Sequence, residues 1–408
     1  MILIGPFKQI ISCSDVPLKG PVNELMLGIE KDSWLLISDG KIKKIGPFDT
    51  FKERQNFEII EVSQPSVVFP GFIDCHTHIC FAGSRIDDFS KKLEGKTYLE
   101  IAESGGGIEL TVEATRKAKW NLLVEFTAAR IMKLRAQGVT TVEIKSGYGL
   151  DPVHEINHLK AIKNAGELTG SHIVPTCLAA HTIPKEYLDR PEEYLELIVR
   201  DIFPQLKNQH LTNRIDIFIE KSAFQVKESY PYLREIKNWG FDLTVHADQF
   251  TPGGSKLAVE FGARSADHLE ASGDLEIKML ANSNTIPVVL PGASLGLGLD
   301  FAPARRILDA GGSLAVASDW NPGSAPMGQL LTQLAILAVY EKLTIPECIA
   351  SITTRAAAAL GINDRGALKK GYYADFSIFS TDDYRDIIYR QGSLVPQEVW
   401  INGKKMEI

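Results

Sequence analysis

PGFIDCHTHICFAGSR, Pro70–Arg85, begins as an apolar, β-prone run and breaks at two histidines spaced i and i+2. In an extended strand end that spacing turns both imidazoles to the same side, so one ion can take both. With Val67–Phe69 ahead of it, the run reads as a strand over Val67–Cys75 whose C-terminal end carries chemistry.

Further along, the same plan repeats. β-like apolar runs at Thr140–Ile144, Ile173–Ala179, Ile215–Ile219, Asp242–His246, Arg264–His268, Thr285–Val289 and Ser313–Ala317 alternate with helical stretches such as Leu122–Gln137 and Pro326–Glu341. That alternation is the signature of βαβ units around a parallel sheet, and eight strands in it point to a (β/α)8 TIM barrel. Such a barrel gathers its catalytic groups at the C-terminal strand ends, facing one pocket. Those ends here carry His76 and His78, Lys145 and Tyr148, His181, Glu220, His246 and Gln249, His268, and Asp319 and Asn321. Eight arbitrary strand ends should carry far less titratable chemistry.

The flanks differ. Trp34–Ile45 alternates around an Asp-Gly turn, Phe57–Val62 is β-prone, and Ala374–Phe379 and Val399–Met406 with its Asn-Gly turn share that character. The expectation is a small β-sandwich domain composed of residues 1–65 and 365–408 beside a catalytic barrel of residues 66–364. A chain of 408 residues has room for both, since such barrels run to about 250 residues.

Composition removes several classes. Hydrophobic residues at 44% and charged residues at 23% exclude general disorder. A net charge of −7 with no long basic run argues against a nucleic-acid partner. Five cysteines without a CxxC pair fit a reducing cytoplasm. The opening MILIGPFKQIISCSD has neither a basic segment nor a cleavage site of a secretion signal, and Leu330–Tyr340, interrupted by Thr332 and Gln333, falls short of a membrane span, so a soluble protein is expected.

Three or four neutral imidazoles and one carboxylate suit a borderline divalent ion such as zinc or iron, with a position left for water. A structural zinc site would use four closely spaced Cys/His ligands, which this sequence does not offer.

The PGFIDxHxH strand, the later histidines and the SDWNPGSAP end resemble the amidohydrolase superfamily over nearly the whole chain. HICFAGSR, SGGGI (Ser104–Ile108), EIKSGYGLD, LAAHTIP and HADQF narrow the resemblance to the branch that opens the ring of 4-imidazolone-5-propanoate in histidine degradation. That resemblance implies one metal ion on His76, His78, His246 and Asp319, with His268 near the attacking water. Dinuclear relatives use a bridging lysine on strand four, but here IDIFIEKSAF has Lys221 only after Glu220, and Lys145 on strand two is expected to be structural or to lie behind the ligands. For the substrate the resemblance implies Arg85, Tyr98, Tyr148, His181, Gln249, Asn321, Gly323 and Ser324. It also implies a homodimer.

Arg85 suits a two-pronged grip on a carboxylate. Gln249 stands where some relatives have a proton-handling glutamate. A neutral amide cannot be that base, so it is read as a recognition residue and proton transfer falls to Asp319 and His268. His154, His158, His172 and His210 are expected at the surface or at helix caps, and SGGGI as a lid. Two alternatives use the same ligand set or fold: a related deaminase or cyclic ureide hydrolase, and a non-catalytic hydantoinase-like scaffold. A neutral nucleobase would leave Arg85 nothing to hold, and the full ligand set argues against the scaffold.

Overall fold

The computed structural model describes residues 1–52, 54–96, 100 and 105–408. Both chain ends build one sheet. It contains β1 (Ile2–Ile11), β2 (Ile29–Ser38), β3 (Lys41–Gly46), β4 (Glu58–Glu61) and β5 (Val67–Pro70). The barrel strands follow: β6 (Phe72–Asp74), β7 (Val139–Lys145), β8 (His172–Ala180), β9 (Arg214–Ile219), β10 (Asp242–Ala247), β11 (Ser265–His268), β12 (Ile286–Val289) and β13 (Ala315–Val316). β14 (Phe376–Phe379), β15 (Glu398–Ile401) and β16 (Lys404–Met406) then return to the first sheet.

The first sheet runs β16-β15-β14-β5-β1-β2-β3, with β4 on β1. Its hairpins follow from local chemistry: Ser38 pairs with Lys41 across Asp39 and Gly40, both at positive φ, and Ile401 pairs with Lys404 across Asn402 and Gly403 in the same way. Ile4, Phe7, Ile10, Leu35, Ile42, Val68, Phe376 and Trp400, from both chain ends, share one apolar cluster.

The barrel strands are parallel and neighbour one another in chain order from β6 to β13. Closure rests on a bridge between Thr77 and Trp320. His78 N–H donates to the Trp320 carbonyl at 3.0 Å, Asp319 N–H to the His76 carbonyl at 3.1 Å, and the Ser318 N–H and hydroxyl to Asp74 at 3.0 and 2.5 Å. The seam therefore lies where the ligand-bearing strands meet.

Two strand and helix expectations change. Val67–Cys75 is not one strand: β5 belongs to the first sheet and β6 to the barrel. Pro70 cannot donate to a ladder, and Gly71 passes so close to Thr140 that a Cβ would lie 2.1 Å from its Oγ1. The helix expected from Pro326 begins at Leu330, because Gly328 turns at φ +58 against the Trp320 ring and Leu330 N–H is taken by Gln137 Oε1.

The apolar layer lies between strands and helices, where Ile131, Leu134, Ile144, Leu159, Ile162, Ile217, Val245 and Ile236 are buried in one cluster. Each such side chain contributes about 1.5–3 kcal/mol. Inside the barrel, by contrast, Asp74, Glu143, Lys145, Thr176, Asp216, Thr244 and Asp267 are all buried. The cation among them, Lys145, places Nζ 2.8 Å from Glu143 Oε1, 2.8 Å from Asp216 Oδ2 and 4.0 Å from Asp267 Oδ2. Burial opposes its charge, but Asp216, Glu143 and Asp267 outweigh it and hold the ammonium above its ordinary pKa. Lys145 is thus the internal counter-ion of the barrel floor.

The histidines outside the pocket divide. His154 sits in the first turn of the helix Pro152–Thr169 on its N-cap Asp151, and His210 is exposed. His158 corrects its expectation: it lies on the buried face of that helix, and burial lowers its pKa to about 3. His172, at the start of β8, is mostly buried as well. No described helix is long and apolar enough to cross a membrane.

Candidate active site

Four donor atoms converge at the C-terminal mouth. His78 Nε2 is 3.2 Å from His76 Nε2, 3.2 Å from His246 Nε2 and 3.3 Å from Asp319 Oδ1, which is 3.6 Å from His76 Nε2. His76 Nδ1 is hydrogen-bonded to Asp267 Oδ2 at 2.7 Å, so this ring gives its proton to a carboxylate and turns its Nε2 lone pair to the centre, and His246 Nδ1 lies 2.9 Å from Asp216 Oδ2 on the same outer side. Three imidazole nitrogens and a carboxylate oxygen converging on one point form a donor set that a divalent cation fits. Tetrahedral nitrogen ligands at about 2.0–2.1 Å from zinc lie about 3.3 Å apart, close to the spacings here. Further ring nitrogens lie close by: His268 with His76 and His246, and His181 with His78 and His246, each place three donor atoms within 4.8 Å of one another.

The protonation states suit ligation. Burial first, then Lys145 and the neighbouring rings, holds His76 and His78 far below the ordinary histidine range. Burial lowers His246 to about 4 against the pull of Asp216. Burial raises Asp319, opposed by His268 and His246. His268 moves the other way: burial would lower it, but Glu270, 3.6 Å from its Nδ1, raises it. Asp319 and His268 adopt φ of +50 and +89, backbone conformations unusual for residues with a Cβ, which the barrel rim holds in place.

Residues expected on the substrate side surround this cluster. Asn321 Nδ2 donates to Asp319 Oδ2 at 3.0 Å, while its Oδ1 accepts the N–H groups of Gly323 and Ser324, both at 2.8 Å. Largely buried Arg85 donates Nε to Asp88 Oδ2 at 2.7 Å, and its Nη1 lies so near Gly323 that a Cβ there would sit 2.8 Å away. His181 stacks on His78 with centroids 5.0 Å apart, and buried Tyr148 stands 5.5 Å from His181. Gln249 is buried at the end of β10 and makes no side-chain hydrogen bond among the described residues. Tyr98 lies outside the described residues, as does Ser104 of the expected lid; Gly107 caps the helix Ile108–Lys117 and donates its N–H to Asp88.

Glu220 and Lys221 part company. Glu220 is buried and accepts the N–H groups of Phe250 and Thr251, tying down the loop after β10, whereas Lys221 is exposed. Sequence reasoning missed Asp216, Asp267, Glu155 and Glu270, which orient the pocket from behind. The signal was present in Asp216, a charged residue among the isoleucines and phenylalanine of β9, and in Asp267, an acidic residue directly before the strand-end His268.

A closed parallel barrel whose C-terminal mouth gathers neutral imidazoles and one carboxylate around a single point defines a metal-dependent hydrolase. The Amidohydrolase family profile matches residues 67–406. Imidazolonepropionase of Idiomarina loihiensis is 37% identical over 92% of both chains, and that of Alkaliphilus oremlandii is 39% identical over 93% of this chain and 91% of its own. In architecture the chain superposes on atrazine chlorohydrolase of Arthrobacter aurescens, solved with zinc, at a TM-score of 0.72 with 17% identity, covering 99% of this chain and 95% of that one. The chain belongs to the amidohydrolase family and, within it, to the imidazolonepropionases.

Proposed function

We propose that the protein hydrolyses the ring amide of 4-imidazolone-5-propanoate to N-formimidoyl-L-glutamate, a step of histidine degradation. One observation carries the substrate: Arg85, its Nε held by Asp88, turns Nη1 toward Gly323 on the loop whose Asn321 braces Asp319. A cationic fork beside the reaction centre suits a substrate with a carboxylate tail and has no use in a neutral nucleobase.

His76, His78, His246 and Asp319 would hold one divalent ion, zinc or iron. Such an ion supplies Lewis-acid activation of water and of the ring carbonyl. Asp319, braced by Asn321, and His268, kept basic by Glu270, carry protons: one leaves the attacking water, and one reaches the ring nitrogen as its bond to the carbonyl carbon breaks. Arg85 grips the propanoate. Tyr148, His181, Gln249, Asn321, Gly323 and Ser324 line the ring and tail, with Tyr98 as a further contact. In our reading the enzyme is a cytoplasmic homodimer that binds no nucleic acid, and the chain divides into residues 1–65 with 365–408 and a barrel of residues 66–364, except that β5, Val67–Pro70, lies in the first sheet between β1 and β14.

The test is direct. Freshly prepared 4-imidazolone-5-propanoate should be consumed with stoichiometric appearance of N-formimidoyl-L-glutamate, and His246→Ala should lose both metal and turnover while keeping its fold. Absence of that product from metal-replete wild type would overturn the substrate. Elemental analysis decides between zinc and iron, and light scattering decides the oligomer.

A further inference from the structure

Glu155 is a fully buried carboxylate, and among the described residues no cation pairs with it. It sits in the first turn of the helix Pro152–Thr169, and its oxygens collect backbone N–H groups from the loop between β7 and that helix. Gly147 donates at 3.1 and 3.2 Å, Gly149 at 2.7 Å and Leu150 at 2.9 Å. Such convergence of donors on one acceptor group is an anion clamp made of backbone. The loop needs one. Gly147 is at φ +108 and Leu150 at φ +53, a conformation that a leucine adopts only under constraint. On its other side, Arg116 Nε donates to the Gly149 carbonyl at 2.6 Å.

Two pocket residues depend on this loop. Tyr148 lies between clamped peptide groups, and its ring centroid stands 5.5 Å from that of His181 and 6.3 Å from that of His78. The Gly147 carbonyl accepts a hydrogen bond from His181 Nδ1 at 3.0 Å, which places the His181 proton on Nδ1 and leaves Nε2 as an acceptor. We infer that Glu155 is a positioning residue for substrate recognition: it holds the 147–150 backbone so that Tyr148 is fixed in the pocket and His181 presents an unprotonated Nε2 to the substrate ring. The kinetic consequence rests on the proposed substrate; the clamp does not.

Glu155→Gln is the close test, because it keeps volume while replacing one acceptor oxygen with an NH2 that faces donors. Metal content should match wild type. Hydrogen exchange of the 147–150 amides should accelerate about tenfold or more, and kcat/KM should fall about tenfold or more, chiefly through KM. Glu155→Asp, which retains the charge on a shorter arm, should recover part of both. Combined with Tyr148→Phe, Glu155→Gln should cost less than it does alone, because the two changes disable one device. Arg116→Met, at a partly exposed position, loosens the same loop from its carbonyl side and should move exchange and KM in the same direction. Unchanged exchange in both Glu155→Gln and Arg116→Met, losses that multiply with Tyr148→Phe, or a lower melting temperature with normal KM in the folded enzyme would overturn the inference. If wild type does not turn over imidazolone propanoate, the proposed substrate fails, and the exchange measurement still decides the clamp.

Discussion

His76 Nδ1 lies 2.7 Å from Asp267 Oδ2, and the residue after that carboxylate is His268, so two adjacent positions of β11 serve one centre. Carboxylates behind metal histidines fix ring orientation and raise ligand basicity, and removing one typically costs about 10–100-fold in metal affinity. Asp267→Ala should show that loss in competition with a chelator, with the barrel intact by circular dichroism. Wild-type affinity in Asp267→Ala would remove the carboxylate from the metal's support.

Lys145 bridges Glu143 and Asp216 at 2.8 Å each in the barrel interior. Breaking a buried pair by deleting one partner leaves uncompensated charge and costs about 3–5 kcal/mol. Lys145→Met should therefore lower unfolding stability by that order at fixed metal loading. A loss below about 1 kcal/mol would mean that the carboxylates accept protons with little penalty, and the counter-ion role would fall.

Most of the barrel was readable because each strand is an apolar run with polar chemistry at its end, a pattern that survives without knowledge of contacts. The split at Pro70–Gly71 was not, since a strand that changes sheets looks like one long strand until its partners are known. In the same way His76, His78, His246 and Asp319 stand at strand ends and announce themselves. Glu155 sits four residues beyond the Gly-Leu-Asp turn, in the first turn of a helix, where an acidic residue is ordinarily helix-dipole decoration. Only the fold turns its oxygens back onto the loop. His158 misled for a related reason: it occupies the helical stripe of Glu155, Ile162 and Ala165, and a polar residue in a buried stripe is invisible to a reading based on polarity.

His158 also makes acid sensitivity testable. Burial holds its pKa at about 3, against about 6.5 in an unfolded chain, so the unfolded state binds the proton first. The stability contributed by keeping it neutral is full above pH of about 6.5 and is lost progressively as pH falls toward about 3. Between pH 7 and pH 5 this group alone should remove about 2 kcal/mol. His158→Gln should flatten the pH dependence of unfolding by about that amount, since the other buried histidines titrate equally in both proteins. Parallel curves for the two proteins would refute it.

Arg85 decides the substrate. Its Nε is committed to Asp88, which also accepts the Gly107 N–H at 2.8 Å, and this arrangement holds the guanidinium while leaving its Nη groups for a ligand. Losing a charge-assisted, two-pronged contact with a carboxylate in a partly desolvated pocket removes roughly 1.5–3 kcal/mol, so Arg85→Met should lower kcat/KM by about tenfold or more while metal content stays at the wild-type level. Asp88→Asn keeps a hydrogen-bonding side chain but removes the charge that steers Nε, and should lose less, mainly in KM. An arginine that merely decorated the rim would leave kcat/KM unchanged in Arg85→Met. That result, or a wild-type preference for an analogue without the propanoate tail, would discard 4-imidazolone-5-propanoate as the substrate while leaving the metal-dependent hydrolase intact.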